Sequence, residues 1–190
     1  SRIILGVIVT IAIIVVFIWG ITFISTKMLL NELKPAEIMF YRYIIAYISL
    51  ILVYPKFHKS SGIREEILFL LTGIFGGTLY FLSENYALKF SLASNVGLLV
   101  ASAPLLTAMV AHIFMKDEKV EKNWYIGALV ALVGVALVVF NGQFVLKLSP
   151  IGDFLAIFAA FSWAIYSILI KKIGHLYNSI YITRKVFFWM

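Results

Sequence analysis

AIIVVFIWGITFISTK, from Ala12 to Lys27, returns 144 residues later as AIFAAFSWAIYSILIK, from Ala156 to Lys171, and this pair decides how the chain is read. Seven of the sixteen positions coincide. Among them are Trp19 with Trp163 and Lys27 with Lys171, matches that a shared wealth of Ile and Ala does not produce. Both stretches read as helices that cross a bilayer, so the chain contains a repeated membrane unit.

Composition agrees. Of 190 residues, 63% are hydrophobic and 13% charged, with a mean hydropathy of +1.02, against roughly 45–50% apolar and 25% charged in soluble domains. Cysteine is absent, which excludes disulfides, thiolate metal sites and cysteine nucleophiles. The formal net charge of +7 arises in short breaks between apolar runs. Such a distribution points to lipid headgroups and topology, and no nucleic-acid partner is expected.

A bilayer core of about 30 Å takes roughly 20 helical residues, and apolar runs near that length recur at about 3–26, 37–54, 67–88, 95–115, 124–140 and 152–170. A seventh begins near Tyr181 and ends at VFFWM. Hydrocarbon offers no partner for a free backbone amide, so the fold class expected is an all-α polytopic helix bundle. The opening run is too long for a cleavable signal peptide and carries no small-residue cleavage site.

On alternate breaks fall Arg2, Lys56, Lys59, Arg64, Lys116, Lys119, Lys122, Lys171 and Lys172, nine basic residues against five (Lys27, Lys34, Arg42, Lys89, Lys147) on the other side. The excess places the N-terminus in the cytoplasm. Trp19 then lies on the first span and Trp163 on the sixth, so the repeat unit is five helices. Five is odd, so the second copy enters the bilayer from the opposite side, the inverted-repeat layout of secondary transporters. A loop two residues shorter in the second copy aligns Ile38 with Ile180 and Arg42 with Arg184. The division expected is residues 1–142 as the first repeat and 143–190 as the start of the second, incomplete one. A full pair of ten helices would need about three more spans.

WGITFISTKMLL…KPAEIMFYRY, ENYALKFSLASNVGLLVASAPLLTAMVAHIFMKDEKV…WYIGALVALVGVALVV and GDFLAIFAAFSWAIYSILIKKIG together resemble the EamA branch of the drug/metabolite transporter superfamily. The most specific parts are the YALKF…ASN turn, the AP pair of the fourth span, Glu118 and the GD…SWA…KK run. The resemblance implies a ten-helix inverted-repeat carrier in a prokaryotic inner membrane, exporting small metabolites such as amino acids.

Glu84 is the sharpest candidate residue, because a carboxylate within a span is costly and usually faces a bundle interior or a watery cavity. Gly73, Gly77, Tyr80 and Glu84 follow at helical spacing, placing two glycines, a phenol and an acid on one expected stripe. Glu84 is read as binding a cationic group of the substrate or a coupling proton. The competing reading is an ion pair with Lys89 or Arg42 near the interface, the Arg42 pair also being a candidate outer gate. Trp19 precedes Lys27 by eight residues, roughly 12 Å along a helix, which is deep for an interfacial belt. Thr22 and Thr26 share its face, and Trp163 with Tyr166 repeats the arrangement. These residues read as an aromatic-walled cavity for organic solutes, or as filler in the seam between repeats.

Pro104 should bend the fourth span, since its ring conflicts with the bond to the Val100 carbonyl, and Ser102 and Thr107 are placed to satisfy freed backbone groups. The bend is read as static, with a gating role as the alternative. Asn95, after Ser91 and Ser94, reads as a helix cap, or as a donor to substrate. Gly127, Ala131 and Gly134 form a small-residue ridge for packing, leaving a homodimer undetermined. His112 reads as solvated, with proton relay the lesser alternative. Lys27, Arg42, Lys171 and Arg184 are expected to snorkel to headgroups. The KDEKVEKN loop reads as a connector, and Ser60 or Ser61 as the start of a short helix.

The chain has no GxxxxGK[ST] loop, HExxH or G-x-S-x-G elbow, so ATP-driven pumping and intramembrane hydrolysis are not expected, and neither a cofactor nor a metal is. Energy would come from gradients, with protons a candidate coupling ion. Two readings follow: a secondary transporter of a small organic molecule, or a non-transporting membrane assembly subunit with the same fold.

Overall fold

A computed structural model of the chain describes residues 2–56, 62–114, 122–140, 149–175 and 177–190. Helices α1 (Arg2–Leu29), α2 (Pro35–Val53), α3 (Ile63–Gly73), α4 (Tyr80–Phe90), α5 (Ala93–Val100), α6 (Ala103–Phe114), α7 (Lys122–Phe140), α8 (Pro150–Ile173) and α9 (Ser179–Phe188) account for nearly all of them. No strand occurs among the described residues. A π-helical segment, Ile74–Leu79, joins α3 to α4, so that Ile63–Phe90 is one continuous span. Among the described residues five elements are long and apolar enough to cross a membrane: α1, α2, Ile63–Phe90, Ala93–Ile113 and α8. The protein is a multi-pass, all-α membrane protein. Of the loop residues singled out above, Ser60, Ser61 and Glu118 lie outside the described residues.

Local chemistry sets the helix starts. Pro35 opens α2, where its missing N–H costs nothing, while the Lys34 amide donates to the Glu37 carboxylate at 2.7 Å. At α8, Pro150 follows the capping Ser149, whose hydroxyl accepts from the Gly152 amide. The Asp153 carboxylate accepts in turn from the Ser149 amide at 3.1 Å. Asn178 caps α9 through the Ile180 amide.

The hydrogen bonds between elements fix how the helices run. The Lys27 ammonium, near the end of α1, donates to the carbonyls of Leu88 and Ser91 at the end of α4. The Ser91 hydroxyl donates to Asp153 in the first turn of α8, at 3.1 Å. At this end of the bundle, called upper below, α1 and α4 therefore finish and α8 begins. Trp19 and Trp163 sit on helices of opposite direction, with ring centroids 6.1 Å apart and planes perpendicular.

Helix α8 is the hub. Six of its eight buried residues, Gly152, Ala156, Ala159, Ala160, Ser162 and Ala164, are small, which lets it lie close along Ile63–Phe90 and against α5 and α6. At the lower end the core is a cluster of Phe69, Ile173, Tyr181, Ile182 and Val186. Val110, Ala111, Ala164 and Ile168 join α6 to α8.

Two expectations for the basic residues are corrected. Lys27 and Arg184 do not reach headgroups. Lys27 turns inward as a C-terminal cap of α4, and Arg184, only 3% exposed, donates to the carbonyls of Tyr54 at 2.5 Å and Lys56 at 2.6 Å, beyond the end of α2. Helix ends leave carbonyls without intrahelical partners, and in an apolar medium a nearby cation satisfies them better than a distant phosphate. Lys27→Met is expected to destabilise the fold by about 1.5–3 kcal/mol, the usual worth of hydrogen bonds to a charged group. Unfolding of the purified protein in mixed micelles measures it.

Candidate functional site

The π-helical segment divides the span that carries Glu84. A π turn is wider than an α turn, so it shifts the helical phase of everything that follows. The single stripe expected from α spacing therefore splits. A Cβ on Gly73 would lie 2.8 Å from that of Trp189, and one on Gly77 would lie 2.1 Å from Met190, so these glycines receive the end of the chain. Thr78 donates to the Met190 carbonyl at 2.8 Å on the same side. Gly76, which the stripe did not include, takes the ring of Tyr166. Tyr80 and Glu84 face a cavity instead.

That cavity, of about 420 Å³, lies in the upper half of the bundle. Its walls are Trp19, Thr22, Phe23 and Thr26 of α1, Arg42 of α2, Tyr80, Phe81, Glu84 and Leu88 of α4, and Trp163 of α8. Gly97, Val100, Ala101, Ala103 and Pro104 complete it. The volume falls within the roughly 300–1,000 Å³ usual for small-molecule sites. Trp163 is the centre of an aromatic array, 5.0 Å from Tyr80, 4.9 Å from Tyr166 and perpendicular to Trp19. Trp19 stays half exposed.

Glu84 is 6% exposed and accepts a long hydrogen bond, 3.4 Å, from the Tyr80 hydroxyl. Arg42 shares the cavity wall, its guanidinium 4.8 Å from the centre of the Phe81 ring. Lys89 lies apart, in an exposed groove with Lys27, Ser91 and Ser149. The site thus holds one carboxylate and one guanidinium among aromatic walls. The Thr22 hydroxyl donates to the Trp19 carbonyl at 2.7 Å, leaving its lone pairs toward the cavity.

Pro104 does more than bend its span. Helix α5 stops at Val100 and α6 restarts at Ala103, with Ala101 and Ser102 between them. Pro104 is the second residue of α6, where no intrahelical amide bond is needed. Ser102 donates to the Leu99 carbonyl at 2.6 Å and Thr107 to that of Ala103 at 2.8 Å, so these hydroxyls bond neighbouring carbonyls and not the Val100 carbonyl that Pro104 frees. The interruption faces the cavity, since Val100, Ala101, Ala103 and Pro104 all line it. Broken helices beside a central cavity are tolerated in membranes for this purpose.

The structure brings together Trp19, Thr22, Tyr80, Glu84, Trp163, Arg42 and Pro104. It separates two others. Tyr166 lies below the cavity, wedged against Gly76. Asn95 is buried and does not cap: the N-cap of α5 is Leu92, which makes no side-chain cap bond, and Asn95 is the third helical residue, outside the cavity wall. Ser91 of that turn is already engaged, its hydroxyl by Asp153 and its carbonyl by Lys27. Phe23 and Phe81 are wall residues not singled out in the sequence. Phe23 follows Trp19 by four residues and so repeats its face, which is the signal that would have found it.

Fold and site define a polytopic α-helical membrane protein with an aromatic-walled cavity between oppositely directed helices. Residues 6–140 match the model of the EamA-like transporter family, and the chain belongs to that family. It is 31% identical to an uncharacterized transporter of Archaeoglobus fulgidus over 160 residues, 82% of this chain and 54% of that protein. It is also 31% identical to the uncharacterized transporter YyaM of Bacillus subtilis, over 80% of this chain and 52% of that one. A probable amino-acid metabolite efflux pump of Salmonella typhimurium shares 29% identity over 85% of this chain and 52% of its own length. The chain thus spans about half the length of the curated relatives it matches. No solved structure matches it.

Proposed function

We propose that the protein is part of a secondary exporter of small zwitterionic or amphipathic metabolites, amino acids and related compounds, in a prokaryotic plasma membrane. The observation that carries this reading is the pairing of Glu84 and Arg42 in one aromatic-walled cavity. An ammonium group would meet the Glu84 carboxylate and a carboxylate the Arg42 guanidinium, while Trp19, Tyr80 and Trp163 cover the apolar part of the solute. Charged groups within a membrane are retained where they have such partners. The efflux-pump name of the Salmonella relative favours the same substrate class.

In this reading residues 1–142 are the first repeat and 143–190 the start of the inverted second, the N-terminus is cytoplasmic, and alternating access turns about the cavity. Glu84 is the group proposed to carry the coupling proton or the substrate ammonium. The bound solute would contact Trp19 and Trp163 from opposite copies of the repeat.

Proteoliposomes test the proposal. Flux of a zwitterionic amino acid, driven by its own or a proton gradient, is the expected result. Glu84→Gln keeps the shape and removes the charge. It should weaken substrate affinity roughly ten- to hundredfold, the equivalent of a lost charge-assisted bond of about 1.5–3 kcal/mol. Inert vesicles from folded protein across amino acids, amines and nucleosides would instead support the non-transporting subunit.

A further inference from the structure

We propose that the side-chain bonds between Glu65 and Glu66 of α3 and Tyr177 and Lys185 of the α9 region form a latch that holds the lower end of the bundle shut, and that its release admits solute from that end. The inference rests on the carrier reading above but adds to it the place where the closed end opens.

The cavity occupies the upper half of the bundle, with Trp163 and Tyr80 at its base. Below it the interior is filled by Phe69, Ile173, Tyr181, Ile182 and Val186. A path to the lower surface between α3, α8 and α9 must part this cluster. Two of its sides are held differently. Against α8 the backbones are in close approach, with Gly76 against the Tyr166 ring and small residues along the helix, a packing that does not slide without clashes. Against α9 the inner hold is apolar, with Trp189 close to Gly73 and Arg184 bonded beyond the end of α2, but the outer edge is held by long polar side chains. Lys185 pairs with Glu66 at 2.5 Å and the Tyr177 hydroxyl donates to Glu65 at 2.9 Å.

These bonds sit at the rim. The Lys185 and Glu66 side chains keep 15% and 30% of their exposure, so water can replace each partner when they separate, and pairs of this kind contribute only about 0.2–1 kcal/mol. They are strong enough to bias a two-state element and weak enough to exchange. The Lys185 ammonium also lies 5.1 Å from the centre of the Phe69 ring and 5.9 Å from that of Tyr181, so it sits against the apolar plug that it fastens. Phe69 lies against Tyr177 and Tyr181, which ties the polar rim to the apolar cluster as one unit.

The sequence has no cysteine, so a single introduced thiol reports alone. Ile173→Cys places one in the plug and Ala101→Cys one in the upper cavity wall. Each variant in proteoliposomes is labelled with a membrane-impermeant maleimide applied to either face. Adding Lys185→Met or Glu66→Gln should raise labelling of the Ile173→Cys reporter from the lower face about two- to fivefold, the population shift of an exposed pair. Tyr177→Phe should shift it the same way without changing charge. The exchange Glu66→Lys with Lys185→Glu should return it toward the parent rate.

Unchanged labelling in folded Lys185→Met and Tyr177→Phe variants would overturn the latch. So would an equal gain at the Ala101→Cys reporter, which would indicate general loosening. If Lys185→Met does not fold, Tyr177→Phe alone decides. Labelling needs no flux: a latch that responds in an inert protein sinks only the carrier reading, and a transporting protein with unresponsive labelling sinks only the latch.

Discussion

Arg184→Met is expected to destabilise the protein by about 3–5 kcal/mol, because two carbonyls lose charge-assisted partners at once and the apolar stem of a buried side chain is repacked. The guanidinium is 3% exposed and reaches both Tyr54 and Lys56 through separate nitrogens. Removing it leaves the chain just beyond the end of α2 without its cationic partner. Arg184→Lys should recover less than half of the loss, since one ammonium on a flexible stem does not span both carbonyls as a planar fork does. Reversible unfolding in mixed micelles measures the difference. A loss below 1 kcal/mol in Arg184→Met would show that water reaches those carbonyls and that the clamp contributes little.

Gly76→Ala is expected to cost about 3 kcal/mol, at the upper end for overpacking, and Gly76→Leu to prevent accumulation of folded protein. A Cβ at this position would lie 2.1 Å from one ring carbon of Tyr166 and 2.6 Å from two others. The ring is held on one side against Trp163, with centroids 4.9 Å apart. Tyr166→Leu should therefore partly rescue Gly76→Ala while being itself mildly destabilising. Such non-additivity is the signature of neighbours in contact. Additive effects in the double variant would mean that the close approach of α8 to the π-helical segment is not what makes glycine necessary.

The spans were legible because twenty consecutive apolar residues leave the backbone one solution in hydrocarbon. Their ends were less so. α3 begins at Ile63, several residues before the apolar run near 67, because Arg64, Glu65 and Glu66 continue the helix below the hydrocarbon where they meet α9. The repeated Trp positions, with the face that Trp19 shares with Thr22 and Thr26, led to part of the cavity wall, Trp19, Thr22, Thr26 and Trp163. Lys27 and Arg184 were misread for a physical reason. A cation near the end of a span has two sinks, headgroups or the carbonyl end of a neighbouring helix, and only tertiary arrangement says which is close. The π-helical segment left no local signal beyond its two glycines. It comes from packing Tyr166 and Met190 against the same short stretch, a demand that spacing along one helix does not encode.

The gap between α5 and α6 has a consequence for what the cavity can hold. Peptide dipoles add along a helix, so a terminus behaves as roughly half an elementary charge, negative where carbonyls end and positive where amides begin. Between Val100 and Ala103 one terminus of each kind is set side by side, at the wall residues Val100, Ala101 and Ala103. Those partial charges belong to the backbone. Neither acidification nor any side-chain replacement that keeps the gap removes them, so the wall keeps a fixed polarity of both signs beneath whatever Glu84 and Arg42 do.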